Sequence, residues 1–179
     1  MSEQELENLM IEVTGMLSNG WILKRSHNYL RLVHPERNYR IFVSDKGHLR
    51  FMASYTEAVR YDHDLPKFPE ANVDPKRGVT AVFATIEKCI ISFADETVKE
   101  WDKQYQREEA FGNAVAANQK KIIEASGNKA KVKSAESMQF NGKHVYAEFR
   151  VYDNTVRIDR VDGVPIDKFI QFIESLSQE

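Results

Sequence analysis

VTAVFATIEKCIISFADETVKEWDKQYQREEAFGNAVAANQKKIIEAS, residues 79 to 126, is the stretch on which the fold of this chain turns. Val79, Val82, Phe83, Ile86, Ile90, Phe93, Thr97, Trp101 and Tyr105 advance by one, three or four residues. That spacing keeps them on one face of a helix with 3.6 residues per turn. Phe111 then lies six residues beyond Tyr105, about 600° of rotation, which turns the next apolar group about 120° off the stripe. Phe111, Val115, Ile122 and Ile123 form a new stripe, and Gly112 and Asn113 sit near the change. The spacing predicts two helices or one sharply bent helix, ended by Ser126, Gly127 and Asn128.

Upstream, Asp62 to Gly78 contains Pro66, Pro69 and Pro75 with little periodicity and reads as an ordered loop or linker. Before it, Trp21–Leu23, Tyr29–Val33, Tyr39–Val43 and Leu49–Ala53 are apolar runs separated by turn formers at Pro35–Asn38 and Asp45–Gly47, as an antiparallel meander requires. Leu6, Leu9, Met10, Val13, Met16 and Leu17 make an amphipathic helix stopped by Ser18, Asn19 and Gly20.

Downstream, Lys131–Ser134, His144–Tyr152 and Thr155–Asp159 read as a second meander, with turns at Gly142 and Asp153–Asn154. Pro165 and Asp167 then open a helix with Ile166, Phe169, Ile170, Ile173 and Leu176 on its apolar face. The fold class expected is α+β, antiparallel meanders flanked by helices in the order α-βββ(β)-α-α-βββ-α, with a long bent central helical region. One domain over 1–179 is favoured, and two similar halves, 1–107 and 108–179, are the alternative division. This element order is similar in outline to that of the type III secretion chaperones; the likeness is one of topology alone and carries no motif.

With 179 residues, 42% hydrophobic and 29% charged, the chain has the makeup of a globular protein. No apolar run approaches the roughly 18 residues of a membrane span, and Met1–Glu12 carries four glutamates and no basic residue, unlike a secretory leader. A cytoplasmic location is expected, and the single cysteine, Cys89, excludes an intramolecular disulfide. Lys plus Arg against Asp plus Glu run 0 to 4 in residues 1–20, 8 to 3 in 21–60, 9 to 12 in 61–125 and 8 to 8 in 126–179. The first meander is thus the one basic block, and its excess is modest beside that of strongly basic nucleic-acid-binding domains.

Chemical motifs are few. Tyr61-Asp62-His63-Asp64 sets a histidine between two carboxylates, the groups of an acid–base pair or a metal site. Extended backbone would place both aspartates opposite His63, and one segment supplies too few converging ligands for a metal. His27, His34, His48 and His144 fall in no metal-binding spacing, and there is no phosphate-binding glycine loop or nucleophile elbow. Asp159–Gly163 is acidic and turn-like but lacks the further oxygen ligands of a calcium loop. Cys89, inside the helical stripe beside Ile90, reads as a small buried side chain. No cofactor and no metal are expected.

The candidate site is the first meander. Alternation assigns Leu30, Leu32, Ile41, Val43, Leu49 and Phe51 to the core and Tyr29, Arg31, Arg40, Phe42, His48, Arg50 and Met52 to the opposite face. Left open, that face presents three arginines among aromatic rings, able to grip an acidic protein, stack bases or pair phosphates. Covered by a helix, its arginines would snorkel to the rim. Lys24, Arg25, Arg37 and Lys46 fall at its turns and edges. Along the central helices Asp95, Glu96, Lys99, Asp102 and their charged neighbours read as a solvated face of mixed sign. Val79 to Tyr105 would span roughly 40 Å, whereas a strand of five or six residues spans about 20 Å. Trp101 and Tyr105 are therefore candidate contacts to the second half or to another chain, and a homodimer is expected.

These features favour a non-catalytic protein-binding module, an inhibitor, adaptor or chaperone-like regulator that acts through the basic and aromatic sheet face and an exposed helical stripe. A nucleic-acid-binding protein using the same face is the alternative. A hydrolase-type enzyme around His63 with Asp62 or Asp64 is the second.

Overall fold

In a computed structural model the described residues are 1–17, 20–26, 29–60 and 62–176, with side chains described to residue 171. The chain is α+β and divides into two compact units, Met1–Gln106 and Arg107–Glu179. The first opens with α1 (Glu3–Met16). Ser2 caps it: its Oγ accepts from the Glu5 N–H at 3.2 Å, while the Glu5 carboxylate accepts from the Ser2 N–H at 2.7 Å. Of the expected helix stop, Ser18 and Asn19 lie outside the described residues.

Five strands follow, β1 (Ile22–Ser26), β2 (Tyr29–Val33), β3 (Tyr39–Asp45), β4 (Leu49–Tyr55) and β5 (Glu70–Val73), paired antiparallel in sequence order. β5 lies in the segment expected to be a loop or linker. Its four residues are too short to show an alternating pattern, and pairing with β4 supplies the strand. Leu32, Ile41, Val43, Leu49 and Phe51 are at most 1% exposed and form one core with Met10 and Val13 of α1.

The central helical region is joined from Val79 to Ala125 as α2 (Val79–Thr85), a π-helical turn (Ile86–Ile91) and α3 (Ser92–Ala125). Between Tyr105 and Phe111, where the apolar phase changes, α3 continues unbroken. The phase change instead falls beside the boundary between the units, since Phe111, Val115, Ile122 and Ile123 belong to the second core. The irregularity is the π turn, closed by the Ser92 N–H donating to the Glu87 carbonyl.

Its consequence is a changed stripe. The residues buried in the first core are Val82, Ile86, Ile90 and Ala94, an unbroken spacing of four that partly buried Val98 continues, with Val79, Phe83 and Ile91 packed partly buried beside this line. On a straight α-helix each such step drifts about 40°, and the wider π turn takes up part of that drift. Phe93, one place before Ala94, is therefore 64% exposed. Cys89, expected to be buried, is exposed for the same reason: it stands one residue from Ile90 and is turned out of the stripe.

The second unit contains the rest of α3, then β6 (Ala130–Val132), β7 (Ser137–Asn141), β8 (Tyr146–Val151) and β9 (Val156–Asp162), again antiparallel in sequence order, and α4 (Ile166–Leu176). β7 was not expected: its two apolar residues, Met138 and Phe140, alternate with Ser137, Gln139 and Asn141, but two such positions in five residues are too few to mark a strand. The expected hairpin at Asp153–Asn154 is closed by the Tyr152 N–H donating to the Thr155 carbonyl at 2.9 Å. No helix among the described residues is long and apolar enough to cross a membrane.

Candidate binding face on the first sheet

In the first unit α1, α2 and the π turn all place their buried residues against the Leu32, Ile41 and Phe51 side of the sheet. The opposite side carries six of the seven predicted residues, Tyr29, Arg31, Arg40, Phe42, Arg50 and Met52, and His48 stands at the β3–β4 turn beside them. Cross-strand register sorts them into rows. One row runs Lys24, Arg31, Phe42, Met52, Glu70 across β1 to β5. Beside it lie Arg40, between Val33 and Ser54, and Arg50, between Ser44 and Asn72. Tyr29, His48 and Arg50 are exposed, and Arg31, Arg40, Phe42 and Met52 are half-buried.

The rings and guanidiniums on this face pack on one another. Tyr29 meets Phe42 edge to face at 5.2 Å between centroids, and the Arg40 guanidinium lies 5.2 Å from the Phe42 centroid. The Nε atoms of Arg31 and Arg40 are buried with no hydrogen-bond partner. Lys24 stands directly opposite Arg31, a like-charge pairing that weakens a sheet and that an anion relieves. At the far edge Arg50 is held by Glu70 at 2.6 Å. Tyr29, Phe42, His48, Arg50, Met52 and Glu70 line a trough of about 660 Å³.

Other predicted residues are elsewhere. Arg25 turns to α1 and bridges Glu3 and Glu7 at 2.5 and 2.8 Å. Arg37 donates to both Asp95 carboxylate oxygens at 2.9 and 3.0 Å, and the Tyr39 hydroxyl donates to the same group at 2.7 Å. Asp102 accepts from Tyr55 at 2.7 Å and from Asn38 at 2.9 Å. Asp95 and Asp102 are thus anchors that tie α3 to the sheet, where helical charge patterning suggested solvated positions. Both tyrosines have their pKa pushed well above the ordinary range, first by burial and then by donation to these carboxylates.

Trp101 and Tyr105 are not brought to the sheet face. They pack with Tyr55 and Phe68, Trp101 at 5.5 and 5.4 Å from the two rings and Tyr105 at 6.3 Å from Tyr55. The Trp101 indole N–H donates to the Pro66 carbonyl at 2.9 Å. Part of the helix length beyond the strands is therefore occupied by the proline-containing loop of its own unit.

His63 is 90% exposed, with Asp62 3.9 Å away, and Tyr61 lies outside the described residues. Among the described residues no group of three or more His, Cys, Asp or Glu could hold a metal ion. Neither a protein-family model, nor a curated protein, nor a solved structure matches the chain.

Proposed function

We propose that the protein is a non-catalytic binding module whose first sheet receives an acidic, partly apolar segment of another protein. The observation that carries this reading is the row Lys24, Arg31, Phe42, Met52, Glu70 on the face opposite the helices of its unit. It runs from two adjacent cations through an apolar middle to an anion, which suits a segment with carboxylates at one end and a hydrophobic side chain at its centre. Base stacking suits it less. Stacking needs free parallel ring faces, whereas Phe42 has Tyr29 on its edge and the Arg40 guanidinium over its ring.

Arg31→Glu tests this reading without confounding binding with folding. It replaces a like-charge cross-strand pair with an opposite one opposite Lys24, so stability should hold or rise slightly. Fluorescence anisotropy against peptides of mixed Asp/Glu and Phe/Leu content should give binding that weakens with salt and falls at least about tenfold in the variant. Single-stranded oligonucleotides bound at low salt, with no peptide bound, would transfer the face to the nucleic-acid reading.

A further inference from the structure

Strand β9 closes the second sheet. It pairs with β8, and its other edge meets no strand among the described residues. All seven of its residues are exposed. Its apolar residues are nevertheless in phase with the core of the unit, since Val156, Ile158 and Val161 stand opposite Val151, Phe149 and Ala147. They remain 51, 51 and 39% exposed. A register irregularity opposite Glu148 and Phe149 keeps both Ile158 and Val161 on this side. The charged residues line the other side, where Asp159 meets Arg150 and Arg157 at 3.1 and 3.2 Å and Arg160 meets Asp162 at 2.6 Å.

We propose that β9 pairs antiparallel with β9 of a second copy of this chain, joining the two second-unit sheets edge to edge. The evidence is the order of the six residues Arg157-Ile158-Asp159-Arg160-Val161-Asp162. A two-fold axis between Asp159 and Arg160 sets Arg157 opposite the partner's Asp162, Ile158 opposite the partner's Val161 and Asp159 opposite the partner's Arg160, and symmetry supplies the converse. Every charge meets its opposite, and every apolar residue an apolar one.

The register is specific. A slip of two residues one way sets Arg157 against the partner's Arg160, and the other way sets Asp159 against the partner's Asp162, so like charges oppose both errors. Exposed charges on an edge strand ordinarily discourage pairing; alternating signs that are complementary about one axis discourage every register but one. Pairing also brings together the exposed apolar sides of the two strands. Next to them α4 begins, with Ile166, Phe169 and Ile170 at 73, 48 and 48% exposure, an apolar concentration uncommon on a lone chain. Its first turn borders Val161 around a cavity of about 270 Å³. The proposal is independent of the first-sheet face.

Sedimentation equilibrium of the full chain tests it with two complementary variants. R157D/R160D makes the strand wholly acidic, and D159R/D162R makes it wholly basic. Each alone should be monomeric, with self-association weakened on the order of 100-fold. Their equimolar mixture should recover a heterodimer. The full exchange R157D/D159R/R160D/D162R keeps the net charge of the strand and should restore the homodimer, and it decides the matter alone if a single-sign variant fails to fold. A wild-type chain that stays monomeric to about 100 μM overturns the proposal. So does a single-sign variant that associates like wild type, a mixture that stays monomeric, or a monomeric full exchange.

Discussion

Both sheets of this protein are antiparallel meanders in sequence order with helices before and after them, yet they differ in how much of the core-side face is covered. In the first, α1, α2 and the π turn seal it, and 17 buried residues form one cluster. In the second, the described residues give a cluster of five, Val115, Ala130, Met138, Phe149 and Val151, and the same face of β9 stays exposed. The lesson is that alternation specifies which side of a strand is apolar, while coverage depends on whether a helix reaches that strand. A covered face contributes stability directly, and an uncovered one is surface available for association.

The largest effect that would test this contrast comes from truncating equivalent positions on the two faces. Phe51 is fully buried and Ile158 is 51% exposed. Phe51→Ala should lower unfolding free energy by about 3–5 kcal/mol, whereas Ile158→Ala in dilute monomeric protein should cost less than about 1 kcal/mol. Denaturant titration followed by circular dichroism measures both. Equal losses would mean that the two faces are covered alike.

A smaller effect is expected at the junction between β9 and α4. Gly163 has φ of +74°, and a Cβ there would run into the His144 carbonyl oxygen. Gly163→Ala should destabilise the second unit by about 1–3 kcal/mol. Hydrogen exchange should show lost protection in β8 and β9 and unchanged protection in β3 and β4. Loss spread evenly over both sheets would make the units a single cooperative block.

The smallest effect separates the units by pH. Tyr39 and Tyr55 are raised above the ordinary tyrosine pKa by burial and by donation to Asp95 and Asp102. The folded first unit therefore holds these protons more tightly than the unfolded chain. Their stabilisation is complete below about pH 10, the unfolded value, and is lost as pH rises from there toward the folded values. Tyr39→Phe with Tyr55→Phe should flatten that alkaline slope in thermal melts. Tyr146, raised mainly by donation to Glu148 in the second unit, should leave the first-unit slope unchanged when replaced by Phe.

Much of this was legible in advance. Leu30, Leu32, Ile41, Val43, Leu49 and Phe51 are all buried, because a period of two in a well-bounded strand leaves one choice of face. The strands β5 and β7 were hidden because runs of four or five residues with only two apolar side chains are too short to establish a period, and only neighbours complete them. Asp95 and Asp102 look like any helical surface charge until the sheet brings Tyr39, Arg37 and Tyr55 to them. Trp101 pointed outward from the strands by length alone, and the loop at Pro66 meets it.

Local periodicity by itself determined the α+β class, the long central helical region and the side of β2, β3 and β4 that carries arginine and aromatic residues. These depend on spacing along the chain, and spacing is a property of sequence. The tertiary structure alone decided that the first-unit helices lie together on one side of their sheet, that the stripe passes through Ala94 instead of Phe93, and that β9 is an exposed edge among the described residues. Each of those depends on which distant surfaces meet, and burial is settled only when they do.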